Sequence, residues 1–369
     1  MDIMLLNTKQ PEKITEGLFT LFRRSFLLLF FIIISVLNVA VAEEMRATGQ
    51  ASQFIKNTHG TLLAVDKPVD GAKIVTLGMY GINIYNMDVR TNTYHMTAYL
   101  WLRWKGDFDP VGSLEFINVV DSWGLTKTIL LSKPKLLSNG EKYQEIRIDG
   151  AFFQPFNLNS YPLDKQELAL YIENSTDSYD QISYVPDKNS SGFDRGLLVP
   201  GWKVIGLSAS SYIHDYGTDF GDVGTANASK YSVVKFSFEI ERYTNFFIWK
   251  LFVPMLIILM TNWLSLILKP TFIEVRTAMP TTALLTIVFL QQSALDAIPG
   301  CPSLVLMDKI YLLAYFCVVM TLLQIIWVNM NLDKESSSSI AKMKKIDRIS
   351  FVAQILFFTI VFVVLIMNS

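Results

Sequence analysis

From Lys73 onward the chain alternates between apolar and polar residues with a period of two. The segments KIVTLGMYGINIYNMD and TYHMTAYLWLRWKGD flank a break at Asp88-Val89-Arg90-Thr91-Asn92. That pattern predicts two long strands joined by a tight turn. Similar runs follow at Ser113–Val120, Leu125–Leu131, Tyr143–Phe153, Gln166–Glu173, Gln181–Val185, Trp202–Tyr212 and Tyr231–Arg242, with Gly, Pro, Asn and Asp clusters between them. About nine or ten strands with no amphipathic helix among them predict an antiparallel, immunoglobulin-like β-sandwich. At Phe246 this period stops.

Long apolar stretches take over. Four spanning helices are predicted, at about 245–268, 274–298, 303–330 and 349–367. Pro254 lies inside the first and should kink it, which membrane helices tolerate. Trp249, Trp263, Tyr311 and Trp327 fall near helix ends, as in aromatic belts. The segment 331–348, NLDKESSSSIAKMKKIDR, reads as a short linker loop. Its Lys334, Lys342, Lys344, Lys345 and Arg348 lie on the same side as Lys269 and Arg276, and that side is predicted to be cytoplasmic. At the other end of the chain, Arg23-Arg24, an apolar run and Ala40-Val41-Ala42 predict a signal peptide over 1–42, or an uncleaved anchor. Either places the β domain, 43–244, outside the cytoplasm.

The second apolar segment differs from the others. Thr277, Thr281, Thr282, Thr286, Gln291, Gln292 and Ser293 interrupt it, and Glu274 and Asp296 stand near its ends. Steps of three or four residues give one face: Glu274, Ala278, Thr282, Leu285, Phe289, Gln292, Asp296. Polar groups at membrane depth face water or protein. Such a face suits a water-filled path with acidic rings beside an apolar constriction, and it also suits a polar seam between packed helices.

Composition narrows the function classes. The chain has 369 residues, 51% hydrophobic and 18% charged, with net charge −1. It is too apolar for an ordinary soluble protein, and it lacks the basic balance of a nucleic-acid binder. The two cysteines, Cys301 and Cys317, both lie in the apolar part, so the β domain has no disulfide framework. No metal-ligand spacing, phosphate loop or nucleophile elbow is present, so no enzyme activity, metal or cofactor is expected.

The motifs then become specific. Tyr161-Pro162-Leu163-Asp164-Lys165-Gln166 resembles the aromatic-Pro-x-Asp-x-Gln signature of the pentameric ligand-gated ion channels, the Cys-loop receptor superfamily. Arg242, the aromatics after it and Pro254 resemble the junction of last strand and first helix in that family. Pro299 matches its turn between second and third helices, and Trp101 and Trp104 match its aromatic second strand. The positions of the flanking cysteines fall on Gln154 and Leu168. The disulfide is therefore absent, as in the prokaryotic branch, which implies a plasma membrane and a bacterial inner membrane.

The resemblance implies a homopentamer, four further copies joining each subunit in lipid, with the second helix of each copy facing the pore. Leu285 and Phe289 would form the constriction. Glu274 and Asp296 would favour monovalent cations, although Arg276 competes if it points inward. The turn at Asp88, the signature Asp164, the strand end Arg242 and Pro299 would form the gating interface, with Asp164 and Arg242 paired. A small-molecule or ionic agonist would bind between sandwiches under the hairpin Ser211–Tyr231. Tyr212, Tyr216, Phe220 and Tyr231 on that hairpin, with Tyr99, Trp101, Phe116 and Tyr179 facing it, are the candidates. Aromatic faces attract cationic amines, and each of these rings also has an ordinary packing role available to it. Asp215, Asp219, Asp222 and His214 sit nearby as solvated acids or as ion- or proton-responsive groups.

Overall fold

The computed structural model describes residues 61–65, 68–69, 71–218, 220–221, 229–295, 304–333 and 335–368. The proposed signal segment 1–42, Asp219, Asp222, Asp296 and Pro299 lie outside the described residues. The chain divides into two compact units between Thr244 and Asn245.

The first unit is a two-layer β-sandwich of twelve described strands. In chain order these are β1 (Thr61–Ala64), β2 (Lys73–Asp88), β3 (Thr93–Trp104), β4 (Leu114–Phe116), β5 (Thr126–Ile129), β6 (Lys135–Leu136), β7 (Lys142–Phe153), β8 (Lys165–Asn174), β9 (Ile182–Pro186), β10 (Gly192–Phe193), β11 (Trp202–Asp215) and β12 (Lys230–Arg242). One sheet runs β1-β11-β12-β8-β4. The other runs β10-β2-β3-β7-β5, with β6 beside β7 and β9 parallel to β2.

The period-two pattern builds the core directly. Val75, Leu77 and Met79 are fully buried, whereas Ile74 and Tyr80, which flank this stretch, are exposed. On the facing sheet Leu168, Leu170 and Ile172 of β8 alternate inward, as do Phe236, Phe238 and Ile240 of β12. The β2–β3 ladder slips register between Gly81 and Asn83 and again between Tyr85 and Asp88. Asn86 and Asn92, at φ 47° and 55°, supply the left-handed backbone there. Gly78 sits opposite Trp101, whose indole lies across it.

The second unit is helical. Its first helix, α1, has three pieces: Asn245–Phe247, a π-helical turn Ile248–Phe252, and Val253–Leu264. The kink expected at Pro254 takes the form of this π turn. Pro254 has no N–H to offer the preceding turn, and the wider turn sits just before it. The others are α2 (Ile273–Leu295), α3 (Leu306–Met330) and α4 (Ser337–Met367). Three helices, α2, α3 and α4, are long and apolar enough to cross a membrane, and Ile248–Leu264 is a shorter apolar helix. A polar network crosses the bundle: Asn262 donates to Thr321, and Thr321 and Trp263 both donate to Gln354.

One expected boundary moves. The fourth helix starts at Ser337 rather than near 349, so most of the expected loop 331–348 is helical. Ser336 caps it by accepting from the Ser339 N–H, and the stretch after the serines, Ile340 to Arg348, already repeats with helical period.

The Gly78 packing is testable. An alanine Cβ there falls 2.0 Å from the Trp101 ring, while one at Gly206 meets nothing within 4 Å. Gly78→Ala should cost about 1–3 kcal/mol through overpacking, read as a lowered melting temperature. Gly206→Ala should leave it unchanged or slightly raised. Equal shifts in the two variants would contradict this packing.

Candidate functional site

Helix α2 has two faces. Glu274, Ala278, Thr282, Leu285, Phe289 and Gln292 are all exposed on the chain, Leu285 at 58% and Phe289 at 67%. Arg276, Pro280, Ala283, Ile287 and Ala294 are buried on the opposite side. The polar face read from the sequence is thus the free face, with Asp296 outside the described residues. The hydroxyls of Thr277, Thr281, Thr282 and Thr286 donate to the carbonyls four residues earlier, at 2.8–2.9 Å. This satisfies each hydroxyl proton within the helix.

The orientation of Arg276 follows from its partners. It is fully buried, and its guanidinium lies 2.8 Å from Asp347 of α4, itself fully buried. Its Nε donates to the Ser265 carbonyl at 3.1 Å, just past α1. The contact to Asp347 is close but misaligned for a hydrogen bond, so the directional bond is the one to Ser265. Arg276 therefore does not share the Glu274 face. Asp347 was missed by sequence reasoning because it was placed in a solvated loop. Its spacing of four residues from the buried Met343 was the available signal.

In the sandwich, Asp164 and Arg242 meet. Arg242 grips the carboxylate with two bonds, Nε to Oδ1 at 2.6 Å and Nη2 to Oδ2 at 3.0 Å. Gln166 also donates to Oδ2 at 2.8 Å, and the Asp164 side chain is 1% exposed. The guanidinium lies 4.8 Å from the centroid of the Tyr161 ring and 4.0 Å from that of Trp202. The Tyr161–Pro162 bond is cis. Every chemically distinctive residue of the signature is thus used around one guanidinium or in the turn that carries it. Gln154, at one of the absent cysteine positions, accepts from the Ala169 N–H at 3.2 Å, tying together the two ends that a disulfide would join. Asp88 closes its own turn by accepting from the Arg90 N–H. Asn92 of that turn accepts from the N–H groups of Gln154 and Phe156.

The candidate ligand aromatics fall into separate groups. Tyr216, Phe220 and Tyr231 cluster, with centroid distances of 5.1 and 5.9 Å from Tyr216. His214 stacks on Tyr216 at 3.8 Å. Beneath them lies Glu173, 2% exposed, accepting from Tyr216 Oη at 2.8 Å and lying 2.8 Å from His214 Nδ1. Burial, then the bond to Glu173, pushes the Tyr216 phenol well above its ordinary value. Asp215 is held low by the Gly217 N–H and, beyond that, by Lys230. Tyr99 and Trp101 line a separate groove with Tyr80, Arg103 and Tyr143. There Arg103 and Trp101 both donate to Asp187. Tyr179 and Tyr212 border a small cavity of about 30 Å³. Phe116 is a correction: it packs on Phe152 in the core, 4% exposed, because β4 turns that residue inward. Glu173 was missed, although Leu168, Leu170 and Ile172 inward put it on the opposite face of β8.

No family model matches the chain. Over 322 residues, covering 80% of the chain and 64% of the relative, it is 25% identical to the gamma-aminobutyric acid receptor subunit beta-4 of Gallus gallus. It is 22% identical over 197 residues to the gamma-aminobutyric acid receptor subunit beta of Lymnaea stagnalis, covering 53% of the chain and 38% of the relative. A third relative, the proton-gated ion channel of Gloeobacter violaceus, is 24% identical over 209 residues, covering 51% of the chain and 55% of the relative. The chain is homologous to the pentameric, Cys-loop-type ligand-gated ion channels. It spans less than two thirds of the length of each of these relatives. The sandwich followed by apolar helices is the fold of these channels. The relatives are channels rather than enzymes, and with the apolar helices they locate this channel homologue in a membrane.

Two measurements test the sandwich sites. Arg242→Ala leaves a buried, unpaired carboxylate and should cost about 3–5 kcal/mol. Arg242→Lys should recover less than half of that, because an ammonium neither forks nor stacks as guanidinium does. Full recovery in a thermal melt would reduce the site to simple charge. For Tyr216 the fold holds the neutral phenol. Its contribution is complete below the ordinary value of 10.0 and is lost as pH rises through the raised folded value. Tyr216→Phe should therefore flatten the alkaline limb of a melting-temperature profile.

Proposed function

We propose that the chain is one subunit of a homopentameric, cation-selective, ligand-gated channel, in a plasma membrane and specifically a bacterial inner membrane, with its sandwich outside the cytoplasm. The carrying observation is the division of charge on α2. Glu274 is on the open face, while Arg276 is turned to the other side and ion-paired with Asp347. Cyclic assembly repeats each open-face residue as a ring. Glu274 then supplies the cation-attracting ring, aided by Asp296, above and below the positions of Ala278, Thr282 and Gln292. Leu285 and Phe289 supply the apolar constriction that closes by dewetting.

The turn at Asp88, the Asp164–Arg242 pair and Pro299 belong, in this reading, to the coupling between outer domain and pore. The pair supports it because a stacked, bidentate guanidinium holds the end of β12 in one defined arrangement, three residues before the first helix begins. The hairpin group Tyr216, Phe220 and Tyr231 over Glu173 favours a cationic or protonatable agonist. The proton and the gamma-aminobutyric acid for which two relatives are named both fit that class.

Purified protein in liposomes under a salt gradient tests the reading. Leu285→Ala should conduct with little or no agonist. Its reversal potential should lie towards the cation equilibrium, and adding Glu274→Gln should move it towards zero. Reversal at the anion potential would overturn the selectivity. Silent wild type and Leu285→Ala, both assembled as pentamers, would overturn the channel itself.

A further inference from the structure

The hairpin of β11 and β12 runs past the end of the strand that supports it. β12 pairs with β8 as far as the Val233–Glu173 rung. Beyond that rung β11 and β12 continue together, with Ser232, Tyr231 and Lys230 opposite Ile213, His214 and Asp215. These last rungs carry the candidate ligand group. His214 and Tyr231 lie on them, and Tyr216 follows directly. A two-stranded ribbon in water has little stability of its own.

β1 pairs with these same rungs. Thr61, Leu62, Leu63 and Ala64 stand opposite Asp215, His214, Ile213 and Tyr212, and the Val65 N–H donates to the Ser211 carbonyl at 3.1 Å. β1 thus takes over where β8 stops. Without it the described sheet would narrow there to two strands. On the other edge the Tyr179 N–H meets the Lys230 carbonyl at 2.9 Å.

β1 is held by its backbone more than by its side chains. All four of its residues are exposed, Leu62 at 40% and Leu63 at 50%, so it buries little apolar surface. A short strand with solvent-facing hydrogen bonds opens locally before the fold does. The chain that follows it is loosely seated, because Val65, Pro68 and Val69 border the cavity of about 30 Å³ against Tyr184, Ser211 and Ser232.

We propose that β1 is a releasable strap on this hairpin. Paired, it holds His214 and Tyr216 against Glu173. Released, it lets the end of the hairpin swing away and opens that group to solvent. Its bearing on agonist binding rests on the ligand role proposed above for the hairpin. The strap itself does not, and it is read without agonist or current.

Alternating narrow and wide pairs along the ladder separate two substitutions. The Val65 N–H points at β11, so the Leu63 N–H does too, and the Leu62 N–H points to the open side. Leu63→Pro removes a ladder donor, whereas Leu62→Pro removes one that faces water. In hydrogen exchange on the full chain, peptides covering 212–215 and 230–232 should exchange roughly five- to tenfold faster in Leu63→Pro, the worth of about one lost backbone bond. Val234–Ile240, covered by β8, should not change. Modification of His214 by diethyl pyrocarbonate should rise in step. Leu62→Pro should match wild type in both readings. If Leu63→Pro does not fold, the wide pair Ala64→Cys/Tyr212→Cys replaces it. The native cysteines lie in the apolar part, and closing the new bridge should slow the same peptides relative to the reduced form. Unchanged exchange and modification in Leu63→Pro, an equal rise in Leu62→Pro, or identical exchange in the oxidised and reduced double variant would overturn the strap. So would a rise of the same size over Val234–Ile240, which would mean that the whole sheet had loosened.

Discussion

A guanidinium buried among apolar helices must have a counter-charge, and Arg276 finds one in Asp347. Leaving either group alone would cost several kcal/mol. The pair is therefore a constraint on geometry more than a source of stability. With Arg276 committed to the bundle interior, rotation of α2 about its axis is fixed. Ala283, Ile287 and Ala294 must follow it inward, and Glu274, Leu285 and Phe289 must lie away from it. The same pair requires α4 to be ordered as far back as Asp347, which brings the polar start of that helix into the packed unit.

The sandwich treats its buried charges in the same manner. Asp164 is gripped by Arg242 and bonded to Gln166, and Glu173 is bonded to Tyr216 beside His214. Arg242 comes from β12, the strand next to β8, whereas His214 and Tyr216 reach Glu173 of β8 from the β11 side, across the intervening β12. Arg242 and Trp202 are direct partners in the β11–β12 ladder, so the stacked ring arrives by register alone. The two units use separate ion pairs for one purpose, which is to fix the orientation of a segment whose apolar contacts alone are non-directional.

How much of this was legible depended on range. Strand positions such as Tyr143–Phe153 were readable to within a few residues, because one face of that strand is buried and the period is two. The open face of α2 was readable because threonine and glutamine are conspicuous in an apolar run. Phe116 was misread since an aromatic ring carries no mark of which side its short strand turns. Glu173 and Asp347 were overlooked for a shared reason. A lone acid in a sequence looks solvated until a partner from a distant segment, His214 or Arg276, is brought against it. Serines hid the start of α4, although Ser336 is the cap that begins it.

The threonines of α2 have one more consequence. Each of the four donates its hydroxyl proton to a carbonyl of its own helix. What remains to be presented outward is an oxygen with free lone pairs. The threonines that make the helix look merely polar thus spend their donors on its own backbone and turn only acceptors, like the carboxylate of Glu274, to whatever lies against them.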